Sequence, residues 1–173
     1  MLRKALAMSG DLVLVTGASG FIATHVTQQL LQAGYKVRGT VRDMNNKTKI
    51  EPLHKLYPEA EFPLELVEAD LMKPESWSKA VEGCKYIMHV ASPFPLGNPS
   101  HEDEVIKPAI EGTLNVLRAA KSEQSVERVV LTSSAAAIVG PCSDDADRIY
   151  TEKDWIDVDH ANTLAYPKSK ALA

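Results

Sequence analysis

An α/β fold built on a doubly wound parallel sheet is what this 173-residue sequence predicts. Two observations carry that expectation. Short apolar, β-branched runs alternate along the chain with segments of helical periodicity, and a glycine-rich turn stands directly between the first run and the first helical segment. Such alternation calls for parallel strands joined by right-handed crossovers, with helices on both faces.

Leu12 to Thr16 reads as a strand buried on both faces, being apolar up to its last residue and ending at Gly17. In the helix that follows, Phe21 to Ala33, apolar residues recur at Ile22, Val26, Leu30 and Ala33, and Gly34 supplies the stop. Next come a strand from Lys36 to Val41, a helix around Ile50 to Tyr57, a strand from Leu64 to Glu68, a helix from Pro74 to Val81 and a strand from Tyr86 to Val90. Glu104 to Ser122 reads as a long helix in which Pro108 occupies the first turn or makes a kink, and Arg128 to Thr132 is a fifth strand. From Pro141 to Asn162 the composition turns to Asp, Pro and Ser, the mark of a surface loop, and a last helix begins near Tyr166.

Composition removes several function classes. With 19 Lys+Arg against 23 Asp+Glu, the net charge of −4 argues against a nucleic-acid partner. No apolar run approaches the length of a membrane span, and the N-terminus lacks the apolar stretch of a secretory signal, so the expected location is the cytoplasm. Cys84 and Cys142 lie far apart and have no ligand neighbours at metal spacing; the expectation is a buried Cys84, an inert loop Cys142 and no metal site.

The turn Thr16-Gly17-Ala18-Ser19-Gly20-Phe21-Ile22-Ala23 has G-x-x-G-x-x-A spacing. A side chain at Gly17 or Gly20 would block the turn or the approach of a pyrophosphate, and the free amides at the helix start favour an anion there. Ala23, where glycine is usual, is small enough to keep helix and strand in contact. The end of the second strand decides between NAD and NADP, since an acid there bonds the ribose 2′-OH and an arginine accepts a 2′-phosphate. Here it reads Val41-Arg42-Asp43, within a segment carrying Lys36, Arg38, Arg42, Lys47 and Lys49 against Asp43 alone, which favours NADP(H) over the rival in which Asp43 selects NAD.

Tyr166 and Lys170 stand four residues apart, so they share a helical face on which the ammonium can favour ionisation of the phenol. Ser133 and Ser134 follow the fifth strand, at the edge where such sheets bind ligands; a serine there can bond a substrate carbonyl while a tyrosine donates its proton.

With these motifs the sequence resembles the extended short-chain dehydrogenases/reductases, and within them the group of dihydroflavonol, cinnamoyl-CoA and aldehyde reductases. The resemblance also rests on Ala69-Asp70-Leu71, His89-Val90-Ala91-Ser92-Pro93, Glu104-Val105-Ile106-Lys107-Pro108, Glu111-Gly112-Thr113 and Thr132-Ser133-Ser134-Ala135, and covers Leu12 to Lys170. It implies a Rossmann fold and an NADPH-dependent carbonyl reductase whose substrate is a small aldehyde, ketone or alcohol with an aromatic or bulky apolar group. Ser134, Tyr166 and Lys170 are then the catalytic residues, with Lys170 also bonding the nicotinamide ribose. Gly17, Ser19, Gly20, Phe21 and Ile22 form the pyrophosphate turn. Arg42 and Lys49 hold the 2′-phosphate, Asp70 and Leu71 border the adenine, and Val90, Ala91 and Ser92 run beneath the adenosine ribose toward the nicotinamide. His89 is expected to be a packed strand residue, not a base.

Two departures stand out. Ala109 occupies the place of an asparagine common among extended members. Relatives also continue past the YxxxK helix into a substrate-binding domain, so residues 1–173 read as an NADP-binding Rossmann domain that stops after the start of that helix. A catalytically silent NADP-binding module is therefore the alternative to an active reductase. A nucleotide-sugar epimerase or dehydratase is disfavoured, because those relatives keep an acid at the Val41 position.

Overall fold

The computed structural model describes residues 10–94, 97, 99–139 and 147–173. Cys142 lies outside the described residues. Five strands, β1 (Leu12–Val15), β2 (Lys36–Val41), β3 (Glu65–Glu68), β4 (Tyr86–His89) and β5 (Arg128–Leu131), form one parallel sheet in the order β3-β2-β1-β4-β5. The helices are α1 (Phe21–Gln32), α2 (Lys47–His54), α3 (Trp77–Val81), α4 (Asp103–Ser122) and α5 (Ala165–Leu172), with 3₁₀ turns at Pro74–Ser76 and Ala135–Ala137. The expected doubly wound architecture is present, and the order reverses between β1 and β4, the switch point at which such sheets take ligands.

Uniformly apolar strands arise because both faces are covered. Leu14 and its register partner Ile87 point into a core with Trp77, Val81, Val116 and Ala120 of α3 and α4. Val15 and its partner Met88 point the other way, into a core with Ala23 and Leu31 of α1. Cys84 is fully buried, as expected, and burial pushes its thiol up to about 11, which leaves it unreactive near neutral pH. Pro108 falls in the second turn of α4, beyond the first-turn position that costs a helix nothing. Among the described residues no helix is long and apolar enough to cross a membrane.

The described residues group into two compact units, one made of residues up to 91 with 115–132 and the other of 92–114 with 133–173. The sheet and the glycine turn belong to the first unit; α5 and the 3₁₀ turn at Ala135–Ala137 belong to the second and pack on one another.

One close approach ties the turn to the sheet. A Cβ added at Gly39 of β2 would lie 2.7 Å from the Cβ of Ala18 and 3.2 Å from Leu66 Cδ2. Gly39→Ala should therefore push the glycine turn off β2 and cost about 1–3 kcal/mol, read as a lower urea midpoint. An unchanged midpoint would show that the turn yields freely.

Candidate functional site

In the first unit, Gly17 adopts φ 67°, a left-handed conformation, and a Cβ there would lie 3.0 Å from the Cβ of Ala91 just beyond β4. Gly20 donates its amide to Gly17 O at 2.8 Å, and a Cβ on Gly20 would come within 3.2 Å of that oxygen. The turn itself thus requires glycine at 17, and a side chain at 20 would crowd it. Beneath it, Ala18 N donates to Thr40 O and Gly17 N to Thr40 Oγ1, each at 2.9 Å.

Gly20 is the N-cap of α1, which has no side-chain cap and no acid in its first turn. The opening amides of a helix have no carbonyl one turn earlier, so this terminus presents unpaired donors and the positive end of the helix dipole. Ser19, Phe21 and Ile22 are exposed around it, whereas Ala23 is buried against β1 and β2, as its small size allows.

Thr16 was not singled out from the sequence, yet it joins the two strands at the switch point. Its Oγ1 accepts from Val90 N at 3.0 Å and Ala91 N at 2.9 Å, and lies 2.9 Å from His89 Nδ1. With both lone pairs taken, the hydroxyl hydrogen goes to Nδ1, which assigns His89 as the neutral Nε2–H tautomer. His89 is buried at 1% exposure, the packed strand position expected of it.

The basic segment divides by position along β2. Arg38, mid-strand, bonds Glu65 Oε1 at 2.9 Å and the carbonyls of Ala80 and Glu82 at 3.1 and 2.7 Å, which satisfies the C-terminal end of α3. Lys36 stacks on the Phe62 ring. Those two cations have structural partners away from the ligand edge, so the local excess that bears on the cofactor shrinks to Arg42, Lys47 and Lys49, all exposed beyond the carboxyl end of β2. Lys47 and Lys49 sit in the first turn of α2, which carries no acid there. Asp43 accepts from Asn45 N at 2.8 Å, giving its carboxylate a role within the turn.

At the end of β3, Asp70 O accepts from Trp77 Nε1 at 2.9 Å and Asp70 Oδ1 from Met72 N at 2.9 Å, while Leu71 O accepts from Asn115 Nδ2 at 2.8 Å.

In the second unit, Lys170 Nζ donates to Ser92 Oγ and lies 5.1 Å from the Tyr166 ring centroid. Burial pushes the Lys170 ammonium below the usual lysine range. Phe94, 71% exposed, meets the Tyr166 ring edge-on at 5.4 Å between centroids. Ser134 Oγ accepts from Ala136 N at 3.1 Å and so caps the 3₁₀ turn that packs on α5. Lys168 bonds Glu102 Oε2 at 2.9 Å, tethering α5 to the segment before α4. Sequence reading passed over Phe94, because an isolated aromatic in a loop belongs to no periodic pattern.

The model of the NAD dependent epimerase/dehydratase family matches residues 13–173. Dihydroflavonol 4-reductase of Hordeum vulgare is 41% identical over 166 residues, which is 93% of this chain and 46% of that protein. Tetraketide alpha-pyrone reductase 1 of Arabidopsis thaliana is 50% identical over 128 residues, 73% of this chain and 38% of that protein. Among solved structures, Gre2 of Candida albicans in complex with NADPH superposes with a TM-score of 0.79 at 38% identity, covering 94% of this chain and 50% of that one. The chain spans about half the length, or less, of these relatives. On the family match and the shared fold, this chain belongs to the NAD dependent epimerase/dehydratase family, the extended short-chain dehydrogenases/reductases.

Proposed function

We propose that the chain carries the NADP(H) site and the proton-donating residues of a carbonyl reductase acting on aldehydes or ketones, or on the corresponding alcohols in reverse. The observation that carries this reading is the cluster on α5, where the Lys170 ammonium lies above the Tyr166 ring and is held by Ser92. The family model is named for epimerases and dehydratases, whereas the curated relatives above are named reductases.

The residues fit the cofactor. Gly17 and Gly20 leave the turn without side chains over an uncapped helix start, where Gly17, Ser19, Gly20, Phe21 and Ile22 would cradle the pyrophosphate. Cations in the first turn of α2 oppose the helix dipole, so a 2′-phosphate bonded by Arg42 and Lys49 would relieve both the repulsion among them and the unfavourable end charge. Asp70 and Leu71 would border the adenine, with Val90, Ala91 and Ser92 lining the path toward the nicotinamide.

When bound, NADPH supplies the hydride that goes to the carbonyl carbon. Tyr166 donates its hydroxyl proton to the carbonyl oxygen, and the Lys170 charge stabilises the phenolate left behind. Ser134, accepting from Ala136 N, keeps its hydroxyl hydrogen to donate to the same oxygen. The exposed ring of Phe94 beside Tyr166 offers an apolar wall, which favours substrates with an aromatic or bulky apolar group.

Arg42→Ala should weaken NADPH binding about 10- to 150-fold while leaving NADH nearly unchanged, measured by fluorescence titration of both cofactors. Equal losses for the two, or a parent chain that prefers NADH, would remove the NADP assignment.

In a preparation that oxidises NADPH with a generic aldehyde, Tyr166→Phe should lower kcat by about 10²- to 10⁴-fold with little change in the NADPH Kd. Turnover close to that of the parent would place the proton donor elsewhere, and a parent chain that binds NADPH but reduces no aldehyde would favour the silent binding module.

A further inference from the structure

α4 carries a buried side chain that its amphipathic pattern does not ask for. Its inward positions Val116 and Ala120 belong to the core with Trp77 and Leu14, yet Asn115 beside them is only 6% exposed. A buried amide in mid-helix costs helix propensity and desolvation unless it is bonded. Its Nδ2 donates 2.8 Å to Leu71 O, 44 residues away in the loop after β3.

That loop is held from its other side as well. Trp77 Nε1 and Lys73 N both donate to Asp70 O, at 2.9 and 3.0 Å. Asp70 N donates to Ser76 Oγ at 3.1 Å, and Asp70 Oδ1 accepts from Met72 N at 2.9 Å. All of these partners lie within six or seven residues of the loop and come from the chain that follows it. Where the strand ends, Ala69 N donates to Val41 O at 2.9 Å, and Asn115 is the distant residue that reaches the Leu71 carbonyl. Local bonds shape the bend and the Leu71 side chain packs on the core with α3 and α4, but neither holds the Leu71 carbonyl. The Asn115 bond does.

We propose that Asn115 is a positioning residue for cofactor binding: through Leu71 O it sets the shelf of Asp70 and Leu71 against which the adenine packs, without touching the cofactor itself. This rests on the cofactor reading above. Once the carbonyl loses its donor, the Leu71 peptide is free to turn beside its packed side chain, and each binding event must order it again. The loss is confined to the adenine end.

The test compares Asn115→Ala and Asn115→Asp with the parent chain at neutral pH, titrating 2′,5′-ADP, which holds only the adenosine end, and reduced nicotinamide mononucleotide, which lacks it. Asn115→Ala should weaken 2′,5′-ADP about 5- to 30-fold, and Asn115→Asp, which sets a carboxylate against the Leu71 carbonyl in nearly the same volume, should weaken it further. The mononucleotide should bind all three chains alike. A general loss of structure would lower both ligands together with the melting temperature, and that pattern would overturn the positioning role.

A second measurement needs no variant. In the parent chain, NMR titration with 2′,5′-ADP should shift the Asn115 side-chain amide together with the Leu71 and Met72 backbone amides. Binding of 2′,5′-ADP that leaves these signals in place, or variants that bind it like the parent, would overturn the inference. A parent chain that binds no 2′,5′-ADP would instead overturn the cofactor reading and the inference with it.

Discussion

The structure of the binding edge depends on one hydroxyl. Thr16 Oγ1 takes the amides of Val90 and Ala91 at 3.0 and 2.9 Å, in the place where β1 and β4 part and no further ladder bond between them is available to those donors. Drawn in this way, Ala91 comes so near the turn that only glycine fits at position 17. Without the Thr16 bonds two half-buried amides would lack these partners and the β4 exit would have no reason to approach. The close approach of Ala91 to Gly17 and the line of Val90 and Ala91 follow from that contact.

A second constraint works at the opposite edge of the sheet. Lys85, just before β4, bonds Asp11 before β1 at 3.1 Å and lies 3.7 Å from Glu127 before β5. Arg38 ties β2 to β3 and to the carbonyls that end α3. Cations at the amino edge and within the strands thus hold the scaffold, while Arg42, Lys47 and Lys49 at the carboxyl edge remain exposed. The same residue type stands in opposite surroundings a few positions apart, bonded at Arg38 within β2 and exposed at Arg42 just beyond it, because four residues of extended chain span about 13 Å.

In the second unit the residues of the proposed chemistry are concentrated on a short helix. α5 is eight residues long and has no side-chain cap, so its order comes from tertiary contacts: Lys168 to Glu102, Lys170 to Ser92, the Phe94 edge on Tyr166, and packing on the 3₁₀ turn that Ser134 caps. The segment 147–164 is better anchored than its Asp-rich composition suggests. Asp154 bonds Arg148 at 2.7 Å and the amide of Thr151, Ile156 N donates to Ala137 O, and Thr163 Oγ1 donates to Asp157 O.

The order of strands and helices, the glycine turn and the Tyr166–Lys170 spacing were legible in the sequence, because each is written in residues close together: a periodicity, a missing side chain, one helical turn. Boundaries moved by a few residues where local signals compete, as at α2, which begins at Lys47 although apolar periodicity points to Ile50. What only the tertiary structure decided concerns partners distant in sequence. It withdrew Lys36 and Arg38 from the cofactor's charge, made Thr16 a link 73 to 75 residues long, set Phe94 against Tyr166, and sent the amide of Asn115 across 44 residues to Leu71. A sequence fixes which groups can donate, accept or pack; which of them meet depends on loop closure and the register of the sheet, and those are settled only when the whole core is assembled.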